Sequence, residues 1–328
     1  MIVTTGSTAS AGTKGEVGPV ILTVTLNTAL DITYRVPSLR PGASHRVAEV
    51  TERPGGKGVN VARVLAALGH EVTVTGFSGG ATGRILRERL TGVPCLTDAL
   101  VPVSGTTRRT VAVVDGRSGT TTQLNEPGPV IGHAEWSAFQ EVYEDLLAAA
   151  SAVALCGSLP PGVPVGAYAG LIRTARAAGV PTLLDTSGAA LRRGVAGRPD
   201  ILKPNAEELA GLTGSHEPLR ATQEARRRGA GAVVASLGPE GLLAVTGEGR
   251  WRAAPPRRLR GNPTGAGDSA VAGLLSALVE HRPWPDRLAR AVALSTTTVL
   301  SPTAGDFDRA AYEELLTGVT VTGEATAA

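Results

Sequence analysis

Asn262-Pro263-Thr264-Gly265-Ala266-Gly267-Asp268-Ser269, followed at once by an apolar run over 270–279, reads as a glycine-rich turn opening a buried helix. Glycines at 265 and 267 let backbone N–H groups crowd around an anion, and the helix start adds the positive end of its dipole. Gly265, Ala266 and Gly267 would hold negative charge developing on a transferred phosphate, while Asp268 would accept the proton of an attacking alcohol. That combination suits phosphoryl transfer to a hydroxyl. Taken alone, the same residues also fit a plain helix start with an Asp near its cap, because short glycine motifs recur without function.

Working outward, the chain has 328 residues, of which 42% are hydrophobic and 19% charged, so a sizeable core is available. Its 42 glycines punctuate apolar runs and read as turns and close approaches, not as low complexity. The net charge of +3 comes from scattered arginines, and with aromatics at only 3% there is little to stack on bases, which argues against nucleic-acid binding. Cys95 and Cys156 stand far apart, outside any metal or redox spacing, and fit a reducing, cytoplasmic setting. The longest apolar stretches, 146–155 and 270–279, are too short to span a bilayer. Residues 1–18 lack the apolar segment of a secretory signal and read as a flexible N-terminal tail, with 319–328 as its C-terminal counterpart.

Between these tails, β-branched runs at 20–26, 72–76, 152–156, 182–185, 201–203 and 232–236 alternate with segments of helical spacing. That order predicts an α/β fold with a mostly parallel sheet covered on both faces, and ligands beyond the carboxyl ends of its strands, where Asn27, Asp185, Asn205 and Gly238 fall. Segments 32–36, 44–51 and 110–124 alternate more and carry charge. They predict exposed strands forming a small second layer, a lid interleaved with the main sheet at about 32–51 and 107–124.

A second glycine cluster, Gly55-Gly56-Lys57-Gly58-Val59-Asn60, also opens a helix and offers a cation and an amide beside backbone N–H groups. It is not a Walker loop, and no dinucleotide fingerprint occurs. Neither do the five histidines show ligand spacing.

Together, Gly55 to Asn60 and Asn262 to Ser269 resemble the two signatures of the ribokinase-like, or PfkB, carbohydrate kinase family. Thr25-Leu26-Asn27-Thr28-Ala29-Leu30-Asp31 and Asn125-Glu126-Pro127-Gly128-Pro129 are similar to the T-L-N-P-A-L-D and N-E-P-G-P segments of its 1-phosphofructokinase and tagatose-6-phosphate kinase branch. G-S-L-P-P-G at 157–162, D-T-S-G at 185–188, K-P-N-A-E-E at 203–208 and S-L-G-P-E-G at 236–241 follow in order. The resemblance spans about residues 20–318. It implies a ribokinase-like three-layer sandwich over 19–318 with a small β-sheet lid, ATP and Mg²⁺ as cofactors, and a homodimer through the lid strands.

The resemblance also implies roles. Asp31, Gly56, Lys57 and Asn60 would hold sugar hydroxyls, and Arg108 would meet the phosphate already on a sugar phosphate, a task suited to a guanidinium fork. Lys203 and Asn205 would meet nucleotide phosphates, Glu208 would organise Mg²⁺ through water, and Ser236, Gly238 and Gly241 would line the nucleotide pocket. Asn205 and Glu208 also fit an ordinary helix start. The implied reaction is phosphorylation of fructose 1-phosphate, with tagatose 6-phosphate, fructose 6-phosphate, an unphosphorylated sugar or nucleoside, and a non-catalytic sugar-phosphate sensor as alternatives. Thr28 stands where the branch has proline. Thr107-Arg108-Arg109-Thr110-Val111-Ala112 departs from its T-R-x-N-x-K, so an amide and a lysine are missing where the sugar is chosen; Arg46 offers replacement charge.

Overall fold

The first strand, β1 (Val20–Thr25), is a β-branched run buried along almost its whole length, as a central strand must be. The computed structural model describes residues 18–259, 261–301 and 303–325, so the expected N-terminal tail lies outside the described residues except for Gly18. From β1 the chain passes through β2 (Ala29–Val36), β3 (Glu49–Gly55), α1 (Lys57–Ala67), β4 (Glu71–Gly79), α2 (Gly80–Thr91), β5 (Leu96–Asp98) and β6 (Val101–Val103). Next come β7 (Arg108–Asp115), β8 (Thr121–Asn125), α3 (His133–Leu147), β9 (Ala150–Cys156), α4 (Ala167–Ala177), β10 (Thr182–Asp185) and α5 (Gly188–Gly194). The rest is β11 (Ile201–Leu202), α6 (Ala206–Thr213), α7 (Pro218–Arg227), β12 (Ala232–Ser236), β13 (Leu242–Val245), β14 (Gly249–Ala254), α8 (Ala266–Val279), α9 (Trp284–Thr298), α10 (Arg309–Gly318) and β15 (Thr320–Ala325).

The central sheet runs β15-β14-β13-β12-β11-β10-β9-β1-β4-β5, with β6 also on β4. Pairing is parallel from β5 to β12 and antiparallel beyond. Side chains alternate between two cores. Ile21, Val74, Ala154, Leu183 and Val234 pack with α1, α2, α8, α9 and α10. Leu22, Val24, Val153, Leu184 and Val233 pack with α3 to α7 around Phe139, Tyr143 and Tyr168. The result is a helix–sheet–helix sandwich whose strand ends β1, β9, β10 and β11 open on one side.

Two sequence expectations are corrected. Residues 320–325 are not a loose tail: they form β15, paired in full register with β14. The run Thr320-Val321-Thr322 has the alternation of an edge strand, and it covers the otherwise open edge of β14, with Val319 and Val321 against the core. Residues 326–328 lie outside the described residues. The strand expected at 44–51 instead begins at Glu49 and continues to Gly55. Its register with β2, from Arg35↔Glu49 to Ala29↔Gly55, carries it into the glycine cluster, and Pro54 is tolerated because β3 is an edge strand.

The lid is a separate four-stranded sheet, β3-β2-β7-β8. Its registers place Arg53, Asp31 and Thr110 in one row across three strands, with Thr51, Thr33 and Ala112 in the next. These residues face inward, whereas Val50 and Leu124 are exposed on the opposite face, at 54% and 60%.

Candidate active site

Gly265 is the N-cap of α8 at φ 84°, a left-handed conformation that glycine adopts without strain. A Cβ there would also lie 2.8 Å from the Ala304 Cβ, so packing excludes other residues too. The first turn of a helix leaves its N–H groups without intrahelical acceptors, and here that turn is Ala266, Gly267 and Asp268. Asp268 is buried, and Asn60 Nδ2 donates to its Oδ2 at 2.8 Å. Burial pushes the Asp268 carboxyl up to about 6, with Asp185 adding to the rise, while Lys57, the Asn60 hydrogen bond and Lys203 oppose it. A carboxylate that ionises near neutrality is a competent general base.

Lys57 begins α1 just after Gly56, which sits at φ 102° with its Cβ position 2.7 Å from the Thr25 methyl. Its ammonium lies 3.4 Å from both oxygens of Asp185, and the Lys203 ammonium lies 3.4 Å from Asp185 Oδ1. Asp185, at the end of β10, is 1% exposed. Burial raises its carboxyl, but Lys203 and then Lys57 outweigh this and hold it below the ordinary carboxylate range. Burial likewise works against the Lys57 charge, yet Asp185, Asp268 and Glu208 together raise it above its usual value. The sequence placed Asp185 at a strand end where ligands fall but not its pairing with two lysines; the signal was an acid ending a fully buried strand, which must find cations. Lys203 also approaches the α8 start, since a Cβ on Gly267 would lie 3.6 Å from its Nζ.

On one side of the α8 start is a cleft of about 660 Å³, lined by Asn205, Ser236, Gly238, Gly241, Ala266 and Gly267 among others. Gly238 and Gly241 have φ of 60° and 89°, and a Cβ on Gly241 would collide with the Ala253 carbonyl. Asn205 and Glu208 form a reciprocal cap of α6: Asn205 Oδ1 accepts from the Glu208 N–H at 2.8 Å, and Glu208 Oε2 from the Asn205 N–H at 2.9 Å. Asn205 lines the cleft, and the Glu208 charge acts on Lys57. Among the described residues no three His, Cys, Asp or Glu side chains gather to hold a metal. A sparse carboxylate set still fits Mg²⁺, which retains most of its water and shares phosphate oxygens.

On the other side, under the lid, a small pocket of about 50 Å³ is lined by Asp31, Thr33, Arg53, Thr110, Ala112 and Thr264 among others. Asp31 fits only because its neighbour is glycine: a Cβ on Gly55 would sit 2.2 Å from its carboxyl carbon. Burial raises the Asp31 carboxyl, while Arg108, Thr110 and Arg63 act against that rise. Arg108 Nε donates to the Asn27 carbonyl at 3.3 Å, and its Nη1 to Thr110 Oγ1 and the Glu126 carbonyl at 3.3 and 3.4 Å. Asn27, unassigned from sequence, donates Nδ2 to the Pro127 carbonyl and to Ser158 Oγ, each at 3.1 Å. It thereby pins the N-E-P-G-P and G-S-L-P-P-G loops beside Arg108.

The start of α8 divides the two compartments. Asn262 and Thr264 line the small pocket, while Pro263, Ala266 and Gly267 line the cleft. Asp268, Asn60, Lys57, Lys203 and Asp185 cluster at the division, and Arg108 joins Asp31 under the lid.

A family profile described as pfkB family carbohydrate kinase matches residues 23–310. The chain is 38% identical over 312 residues to the 1-phosphofructokinase of Rhodobacter capsulatus, covering 86% of this chain and 98% of that one. Among solved structures, it is similar to the tetrameric inhibited form of phosphofructokinase-2 from Escherichia coli, with TM-score 0.83 and 30% identity, covering 90% of this chain and 98% of the other. The same enzyme in complex with fructose-6-phosphate gives TM-score 0.82 and 29% identity, with coverage of 90% and 98%. With two glycine-built helix starts meeting at one buried aspartate and the profile spanning most of its length, the chain belongs to the pfkB family of carbohydrate kinases.

Proposed function

We propose that this kinase transfers the γ-phosphoryl group of ATP to a hydroxyl of fructose 1-phosphate, giving fructose 1,6-bisphosphate. The observation that carries the reading is Asp268, buried between the two compartments at a helix start and ionising near 6. Asp268 takes the proton of the attacking hydroxyl, and the N–H groups from Gly265 to Asp268 stabilise charge on the transferred phosphoryl oxygens. Asp31, Gly56, Lys57 and Asn60 orient the sugar hydroxyls, and Arg108 selects a sugar that already bears a phosphate. Lys203 and Asn205 hold nucleotide phosphates, with Ser236, Gly238 and Gly241 along the cleft. Mg²⁺, when bound through water to Glu208, neutralises phosphate charge.

The 38% identical relative is a 1-phosphofructokinase, which supports fructose 1-phosphate. Fructose 6-phosphate is a second reading, because the phosphofructokinase-2 neighbour binds it and because Thr110 and Ala112, where the chain departs from the branch's amide and lysine, line the pocket under the lid. Comparing kcat/KM for fructose 1-phosphate, fructose 6-phosphate, tagatose 6-phosphate, fructose and ribose decides between them. Preference for an unphosphorylated sugar overturns the role of Arg108. The uncovered lid face carrying Val50 and Leu124 supports a homodimer through the lid strands, and no described helix is long and apolar enough to cross a membrane.

A further inference from the structure

We infer that Asp306, in the loop between α9 and α10, is a positioning residue that couples closure of the lid over the sugar to the setting of the anion-binding turn at Gly265. One oxygen of its carboxylate, Oδ2, pairs with Arg53 Nη1 of the lid and accepts from Thr303 Oγ1 at 3.0 Å. The other, Oδ1, accepts from Arg63 Nη2 of α1 at 2.9 Å. Arg53 is opposite Asp31 in the β2–β3 ladder and lines the same pocket. Arg63 is one turn beyond Asn60, the residue that donates to Asp268, and its Nη1 donates to the Ala304 carbonyl at 3.1 Å. Two glycine contacts press the loop onto its neighbours, one onto the turn at Gly265 and one onto α1. A Cβ on Gly265 would meet Ala304 at 2.8 Å, and one on Gly305 would meet Arg63 Nη1 at 2.7 Å and Asn60 Oδ1 at 3.1 Å.

A single carboxylate therefore ties three bodies: the lid, the helix that holds Asn60, and the loop that backs Gly265. Arg53 and Arg63 carry like charge on either side of it, and the Asp306 carboxylate offsets their repulsion. At about 50 Å³ the pocket below is smaller than the ~300–1,000 Å³ of small-molecule sites, so the tied lid lies close over its floor. Binding under the lid and alignment of the turn are then joined through Asp306.

The inference rests on the sugar-kinase reading of the site, so its test pairs a rate with a measurement that needs no turnover. Asp306→Asn keeps the shape and removes the charge. It is expected to lower kcat on the order of tenfold while the Kd for ADP changes by less than about twofold, Asp306→Glu retaining most of the rate. Arg53→Gln combined with Asp306→Asn is expected to be no slower than Asp306→Asn alone, because both break the same tie. Amide hydrogen exchange without substrate is expected to quicken together in β2, β3 and the first turn of α8 of Asp306→Asn. Unchanged exchange in the α8 turn, or additive losses in the double variant, overturns the coupling. If the wild-type protein phosphorylates no sugar on the panel while exchange still responds, the functional reading fails and the coupling stands.

Discussion

Asn60 Nδ2 donates to Asp268 Oδ2 at 2.8 Å across 208 residues of sequence, so the first glycine loop and the second meet at one buried carboxylate. The hydrogen bond favours the ionised carboxylate and offsets part of the burial that raises it to about 6. Because the base must be ionised, kcat should fall as pH drops below about 6. Asn60→Leu removes the bond and should move that acid limb to higher pH, readable from the kcat profile. An unmoved limb assigns it to another group.

Asp268→Ala removes the proposed base itself. Turnover should fall by about 10²- to 10⁴-fold, while ADP binding, followed by calorimetry, stays close to wild type because the cleft proposed for the nucleotide is lined by other residues. Near wild-type turnover excludes Asp268 as the base.

Gly55 tests how the lid places Asp31. An added methyl would overlap the Asp31 carboxyl, at 2.2 Å, so Gly55→Ala must turn that side chain out of its place. The expected result is a loss on the order of 10²-fold in kcat/KM for the sugar phosphate, the effect of misplacing a positioning group, with little change in ADP affinity. Equal losses for sugar and nucleotide point to a general fold defect instead.

Much of this was legible in the sequence because glycines at strand-to-helix turns are local signals. Gly56 and Gly265 adopt positive φ where the motifs place them, and the β-branched runs became the parallel strands. What was hidden depends on pairing across distance. Asp185 finds Lys57 and Lys203 from two other elements, Asp306 finds Arg53 across 253 residues, and Thr320 to Ala325 become a strand only because β14 offers an edge. Asn205 and Glu208 carried two sequence readings, and the structure realises the capping one while Asn205 still lines the cleft.

Arg108 tests whether an existing phosphate is recognised. Its guanidinium is fixed by the carbonyls of Asn27 and Glu126, so it is pre-oriented for an anion. Arg108→Lys keeps the charge and loses the fork, and KM for the sugar phosphate should rise on the order of tenfold or more while fructose, lacking phosphate, is affected little. Proportional losses on both sugars would mean that Arg108 supports the lid and not the phosphate.

Asp185 ties the site's chemistry to stability. Its carboxylate is almost fully buried between Lys57 and Lys203, and Asp185→Asn would leave the buried Lys203 ammonium without its counter-charge, Lys57 being partly open to solvent. Breaking such a pair costs about 3–5 kcal/mol, so a marked drop in Tm at neutral pH is expected together with loss of activity. The pH dependence has a definite sign. The folded-state pKa lies below the ordinary 3.8, so Asp185 contributes its stability above that value and loses it as pH falls through 3.8 toward the lower folded value. Wild-type Tm should therefore decline more steeply below about pH 4 than that of Asp185→Asn, which has no carboxyl to protonate there. Parallel Tm curves for the two proteins through this range would show that the charge of Asp185 contributes no net stability, leaving it the task of holding the two lysines at the α8 turn.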